Sequence, residues 1–433
     1  MLLVVKMRTL ERIGISFLLG SGIFTLAVFC YSTFGVKITT ESTLFALTIG
    51  IIFIILLLKL FKRKVVINPI GFMKFFITFP LVDKIIVFAI ASLMIGSLVV
   101  TLYFPVNAWD SIVLYDFRAR IVAQQGFYAQ IASNFSYFAG YPLFTSLSHT
   151  LVYIFNGNNP QFLYSLLYVS FIFIFYTNLR KFVDRRISLV ASLMLATAPA
   201  IFDHSTVAYT NLPYTIFLVT GTTYLFNWIV KKKTFGYLIL SAVLVGLSTW
   251  SRAAEPFWII NMLILLFLTL YRFKRYIFST LVYTIFFFLI KTPWSLFNYS
   301  EPMKSKIPVT SVITAELSSY ASTLSKTIFD PDRINQVMVY IYQNVITSWY
   351  PLIFLFLFCL FVSLKNIFTR ASTIFLIIIF LHFALLLYGS YRFSFDFAEW
   401  INIPDSARRM AMFFIPFMIF YIGLSLGELK DKH

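Results

Sequence analysis

The chain has 433 residues, of which 60 % are apolar, 19 % aromatic and only 12 % charged, with a net charge of +18 and a mean hydropathy of +0.85. A water-soluble fold of this length has no interior large enough for that much apolar surface, so an ordinary cytoplasmic enzyme, a disordered chain and a disulfide-stapled secreted domain are excluded. What remains is a polytopic helical membrane protein.

A hydrocarbon core about 30 Å thick takes roughly 20 apolar residues per helix. Such runs recur near 13–36, 43–61, 84–104, 160–179, 187–202, 213–230, 236–250, 256–271, 276–290, 349–364, 371–388 and 409–427. The first has a basic flank (Lys6, Arg8, Arg12) but no small-residue cleavage site before Lys37, so it reads as a retained span rather than a signal peptide. Tyr141–Phe155 is apolar but short, and it carries His149. The basic clusters decide its placement. Lys62-Arg63-Lys64, Arg180-Lys181 with Arg185-Arg186, Lys231-Lys232-Lys233, Arg272-Lys274-Arg275, Lys365 with Arg370, and Lys430 with Lys432 all share the N-terminal side only if Tyr141–Phe155 does not cross. An interfacial or re-entrant helix on the outer face is therefore expected there.

The whole excess of +18 then lies on the cytoplasmic side, with both termini. It is a topology signal, aided by anionic lipid, rather than a nucleic-acid footprint, and nucleic acid is not an expected partner. The compact loops suggest a prokaryotic plasma (inner) membrane. The expected fold is an all-α polytopic membrane protein of about twelve transmembrane helices plus outer juxtamembrane helices, a single domain over 1–433. Within it, 1–83 contributes two additional N-terminal spans, and 84–430 forms a core with outer loops 105–159, 291–348 and 389–408. Cys30 and Cys359 sit inside apolar runs and read as small buried hydrophobes.

The inner acids Glu11, Asp83, Asp184, Glu428 and Asp431 lie beside basic residues and read as solvated loop charges. Chemistry is expected outside. The densest outer stretch is Asn107-Ala108-Trp109-Asp110-Ser111 through Tyr115-Asp116-Phe117-Arg118-Ala119-Arg120, directly after an outward-going span. Asp116 and Arg120 are one helical turn apart and are able simply to pair. Asp110 has no basic residue at that spacing; it either caps the segment 111–121 or faces a cavity as a general base toward a hydroxyl. A second cluster, Trp250-Ser251-Arg252-Ala253-Ala254-Glu255, pairs Arg252 with Glu255 or offers Arg252 to a phosphate. A third, Asp405-Ser406-Ala407-Arg408-Arg409, either snorkels or captures phosphate. In a fourth, Tyr209-Thr210-Asn211-Leu212-Pro213, Asn211 caps a span or points at substrate, with Asp203 and His204 just before it. The histidines (149, 204, 382, 433) are not at ligand spacing, so no metal or other cofactor is expected, although a divalent site built from Asp110, Asp116 or Asp203 stays open. Apart from His382 the middles of the spans hold no ionisable residue, which argues against an ion-coupled transporter.

In order and placement these segments resemble the polytopic GT-C glycosyltransferases, in the branch of the protein O-mannosyltransferases and the lipid A aminoarabinose transferase. Trp109-Asp110-Ser111 is similar to the acidic opening of that family's first outer loop, and Arg118-Ala119-Arg120 to its basic-Ala-basic triplet. Tyr141-Pro142-Leu143 resembles the start of its juxtamembrane helix, with one Pro missing. Tyr209-Thr210-Asn211-Leu212-Pro213 resembles Tyr-Ala-Asp-Leu-Pro, with Asn211 in place of the acid. Arg252 to Glu255 resembles a Thr-Arg/Lys-x-Glu-Gly element, and Arg408-Arg409 followed by Pro416 an Arg-Tyr…Pro element. The matches run from about residue 100 to 420 and leave the first two spans uncovered.

The resemblance implies inverting transfer of a sugar from a polyprenyl-phosphate donor to an acceptor hydroxyl on a lipid, glycan or protein, at the extracytoplasmic face. Asp110 is then the base, with Asp116 a second catalytic candidate. Arg118, Arg120, Tyr141, Asn211, Arg252, Glu255, Lys291, Arg408 and Arg409 are the substrate-binding candidates, with Arg118, Arg252, Arg408, Arg409 and Lys291 the ones to stabilise the lipid phosphate. The alternatives are an O-antigen polymerase or ligase, with its key loop late in the chain, and a lipid-linked glycan flippase.

Overall fold

The computed structural model describes residues 7–60, 79–126, 141–231, 234–252, 256–300, 330–363 and 371–430. Among the described residues there is no strand; the chain is an all-α polytopic membrane protein. Every one of the apolar runs read from the sequence is occupied by helix. In chain order these are α1 (Thr9–Thr33), α2 (Thr40–Leu60) and α3 (Leu81–Tyr103), then a π-helical turn (Ser111–Asp116) leading into α4 (Phe117–Gln125), and α5 (Phe144–Ile154). They continue with α6 (Phe162–Leu179), α7 (Arg185–Thr197), α8 (Pro199–Ser205), α9 (Asn211–Lys231), α10 (Phe235–Ser251), α11 (Trp258–Tyr271) and α12 (Phe273–Ser300). The last are α13 (Pro331–Ile341), α14 (Tyr350–Ser363), α15 (Ala371–Asp396), α16 (Pro404–Met410) and α17 (Phe414–Lys430). By length and composition 6 described helices are able to cross a membrane, or up to 8 if the bent pairs α7–α8 and α16–α17 each count as one span.

The centre is α9, in which every residue from Asn211 to Trp228 is buried. Its hairpin partner α10 lies close because Gly221 has no side chain: a Cβ there would stand 2.6 Å from Val245 Cγ2 and 3.0 Å from the Val245 nitrogen. Ser241 Oγ uses the gap to donate to Gly221 O at 2.6 Å. Close approach through small residues is how helices associate where lipid removes the hydrophobic drive between them. The outer faces are the converse: Phe45 and Phe53 of α2, Phe88 and Ile95 of α3, Phe278 and Ile285 of α12, and Phe354 and Phe361 of α14 are exposed, as a lipid-facing surface requires.

One end of the bundle collects the residues read as cytoplasmic. Lys181 donates to Glu11 Oε1 at 2.6 Å, Arg185 Nε to Asp83 Oδ2 at 2.7 Å, and Lys430 to Asp184. These pairs correct one expectation. Glu11 and Asp83 are buried, at 0 % and 1 % exposure, rather than solvated. Both sit in the first turn of an N-terminal span, where packing of the neighbouring helices encloses them and a cation from the α6–α7 segment neutralises each.

At the opposite end α5 is 11 residues long. At 1.5 Å per residue that is roughly 16 Å, half a bilayer core. A helix of that length does not cross a bilayer core by itself. The α1–α2 turn grips this region: Ile38 N–H donates to Gly126 O at 2.6 Å and Thr40 Oγ1 to Ile154 O at 2.7 Å. His382, the one histidine in mid-span, is fully buried against Phe257, Phe413 and Phe417 and donates Nδ1–H to Ile378 O at 2.8 Å.

Candidate active site

Pro105 ends α3. Phe104 before it is extended (φ −90°, ψ 130°), as the proline ring demands. Helix resumes at Trp109; Asp110 has helical dihedrals (φ −61°, ψ −33°) and its carboxylate makes no capping bond, so the capping alternative fails. The next turn is π-helical, with Phe117 N–H bonded to Ile112 O. A π turn inserts an extra residue into the helical circuit and is common where a side chain must be re-aimed. Here it separates Asp110 from Asp116, which face different neighbours.

Asp110 Oδ2 accepts from Arg409 Nη1 at 2.9 Å, although 299 positions separate the two in sequence. The Arg409 Nε donates to Asp405 Oδ2, also at 2.9 Å, so one guanidinium bridges two carboxylates in the fork geometry that arginine allows. Its carbon stands 5.3 Å from the Tyr209 ring centre, and Asn211 Nδ2 donates to its backbone carbonyl at 3.3 Å. The end of α3, the turn before α9 and the α16 segment therefore converge on Asp110. Arg408 is half-exposed and paired with Asp405 at 2.6 Å.

Tyr115 links this group to two more cations. Its hydroxyl lies 3.2 Å from Thr210 Oγ1, its ring meets Tyr141 edge-on at 6.4 Å, and the Arg118 guanidinium carbon is 5.9 Å from its centre. Burial pushes the Tyr115 phenol up, and the fields of Arg252 and Arg118 oppose that rise. Arg118 is buried and donates Nε–H to Leu114 O at 2.6 Å and Nη1–H to Tyr141 O at 3.1 Å. Arg252 is half-buried just past the end of α10. Lys291 bonds Ser295 Oγ at 3.2 Å and stands 5.7 Å from the Trp258 ring, and none of its described contacts joins it to Asp110. Glu255 lies outside the described residues.

Asp116 occupies a different setting. Arg120 Nε donates to its Oδ2 at 2.8 Å, and both His149 Nδ1, at 3.0 Å, and the Tyr153 hydroxyl donate to its Oδ1. Burial alone would raise its carboxyl; the bonds from His149, Tyr153 and Arg120 outweigh it and hold the group at about 2. Burial lowers His149 in turn, so the ring is neutral: Nδ1–H donates to Asp116 and Nε2 accepts from the Tyr164 hydroxyl at 3.1 Å. The paired reading of Asp116 with Arg120 holds, and the carboxylate ties α4 to α5. Sequence reasoning left His149 and Tyr153 unassigned. Their signal was present: Thr145, His149 and Tyr153 recur at helical spacing and lay one polar stripe along α5.

Among the described residues, no three His, Cys, Asp or Glu side chains cluster as metal ligands. A small apolar crevice lined by Phe17, Phe144, Leu163 and Tyr164 lies between α1, α5 and α6 and does not include Asp110.

An all-α membrane bundle with a carboxylate and guanidinium groups gathered at one end defines an integral membrane protein with a polar site at the rim. Residues 139–296, from just before α5 into α12, match the family described as dolichyl-phosphate-mannose-protein mannosyltransferase. The matched segment, about a third of the chain, is similar to this family of membrane glycosyltransferases. Tyr141, Asn211, Arg252, Glu255 and Lys291 fall inside the matched segment, whereas Asp110 and Arg409 lie outside it. No curated protein and no solved structure matches the chain.

Proposed function

We propose that the protein moves a sugar from a polyprenyl-phosphate donor to an acceptor hydroxyl, with inversion, at the extracytoplasmic end of the bundle. The observation that carries this reading is the 2.9 Å contact between Asp110 and Arg409, a base beside a phosphate-binding group. In the proposed step Asp110 takes the proton of the acceptor hydroxyl, and the oxygen attacks the anomeric carbon. The bond from that carbon to the phosphate oxygen breaks, and its electron pair leaves on the polyprenyl phosphate. Arg409, with its neighbour Arg408 and with Arg252, whose charge acts on Tyr115, stabilises the charge that develops there. Arg118 and Asp116 set the rim helix and its aromatic neighbours. The donor chain stays in lipid, which accounts for an enzyme buried in a bilayer. Acceptors of this chemistry are a lipid, a glycan or a protein side chain, and the setting is a plasma membrane with both termini in the cytoplasm.

The step needs no metal, because guanidinium groups carry the phosphate charge, and activity is expected to survive chelation with EDTA. The direct test is Asp110→Asn in purified, lipid-reconstituted protein. It keeps the shape and a hydrogen-bonding group but loses the base. Transfer is expected to fall by about 10²–10⁴-fold, the range for a general base, with the fold intact by circular dichroism. Full turnover by Asp110→Asn would sink the assignment.

A further inference from the structure

His204 lies in the last turn of the short helix α8, and its ring stands 6.0 Å from that of Tyr209. Its Nδ1 lies 2.8 Å from Ala200 O on its own helix. A carbonyl only accepts, so Nδ1 carries the hydrogen, and the neutral ring presents a bare lone pair at Nε2. Because Nδ1 faces the helix backbone, Nε2 points away from it. Nε2 is buried and, among the described residues, meets no hydrogen-bond partner. An unmet acceptor in such a place is costly, so a donor from outside the described residues is called for. The surroundings narrow its chemistry. His204 lies in the fields of Asp405, Arg409 and Asp203, and Tyr209 also stacks against Arg409. The imidazole thus adjoins the group that holds Asp110. A phosphate or carboxylate has no hydrogen to give to Nε2, whereas a sugar hydroxyl has.

We infer that His204 is a specificity-determining residue: its Nε2 accepts a hydrogen bond from one hydroxyl of the sugar bound beside Asp110 and Arg409, against the Tyr209 ring. The inference rests on the glycosyl-transfer reading and deepens it, since it assigns a contact to the sugar rather than to the phosphate. The partner group is a neutral hydroxyl in a fixed position, so the site selects among sugars by stereochemistry. Loss of such a contact is costly because the acceptor is left buried and unpaired.

The test measures binding of short-chain prenyl-phosphate sugars to the reconstituted full chain. Mannose, glucose and arabinose donors are compared first, and the tightest is then compared with its singly deoxygenated analogues and with the sugar-free prenyl phosphate. For wild-type protein one deoxy analogue is expected to bind about tenfold more weakly than its parent. His204→Leu loses the same factor on the parent donor, becomes indifferent to that hydroxyl and binds the sugar-free phosphate as wild type does. His204→Gln, which restores an acceptor oxygen, recovers part of the discrimination. Equal weakening of every ligand by His204→Leu, the sugar-free phosphate included, would reveal a packing role and overturn the inference. So would unchanged discrimination. Failure of the underlying reading has a different signature: wild-type protein binds none of the prenyl phosphates.

Discussion

At the scale of single residues, neighbouring arginines have unequal roles. Arg409 is part-buried, with its side chain at 22 % exposure, and bridges Asp110 and Asp405; Arg408 is half-exposed and meets Asp405 alone. Coulomb energy gained in a part-buried setting exceeds that of a solvated pair. Arg409→Ala is therefore expected to lower transfer by about 10²-fold or more, and Arg408→Ala by only a few-fold, in initial-rate measurements on the same donor. Equal effects would deny Arg409 its place beside the base. Asp116 gives a second residue-scale prediction. Its carboxyl is held down at about 2 by His149, Tyr153 and Arg120 against the cost of burial. A depressed folded value contributes stability that is complete above the ordinary carboxylate range and lost as pH falls toward about 2. The unfolding midpoint of wild-type protein should fall across that acid window, whereas that of Asp116→Asn, already lower at neutral pH, should change less. Tyr153→Phe removes one hydrogen bond to this charge and is expected to cost about 1.5–3 kcal/mol in chemical denaturation.

At the scale of elements, the apolar runs, the short α5 and the break at Pro105 were legible in the sequence, because apolar composition and proline geometry act locally. What joins the elements was not. Nothing near Asp110 in sequence announces Arg409, and the π turn that re-aims the rim helix has no composition signature. The enclosure of Glu11 and Asp83 depends on which helices pack beside them, which hydropathy does not encode. The α1–α2 turn is another tertiary feature: it holds Gly126, whose φ is +80° and where a Cβ would stand 3.2 Å from the Lys37 Cβ, which leaves no comfortable room for a side chain. Gly126→Ala should cost about 1 kcal/mol or more from backbone conformation alone. In thermal unfolding it should lower the midpoint while leaving prenyl-phosphate affinity near wild type. At Gly221, where the obstructing atoms include the α10 backbone, Gly221→Val is expected to be worse. It forces α9 and α10 apart and costs about 1–3 kcal/mol or more, read as a loss of folded protein in detergent extraction.

At the scale of the whole molecule, the two ends of the bundle carry different chemistry. One end holds Lys181, Arg185 and Lys430 with their acids; the other holds Asp110, Arg252 and Arg409. The charge asymmetry of the sequence predicts that the first faces the cytoplasm. In a background with Cys30 and Cys359 replaced, Thr206→Cys should react with a membrane-impermeant maleimide on intact cells, and Arg186→Cys only after permeabilisation. The reverse pattern would invert the proposed topology without altering the fold.

Transfer from a lipid phosphate requires the rim carboxylate, its arginine and that phosphate to meet at one end of the bundle. The most direct measurement is a cryo-electron microscopy map of the protein in nanodiscs with a polyprenyl phosphate bound. Phosphate density is expected in hydrogen-bonding contact with Arg409, with the Asp110 carboxylate on the same side of the bilayer and open to an incoming hydroxyl. Phosphate density at the opposite end, against Lys181 and Arg185, would contradict it.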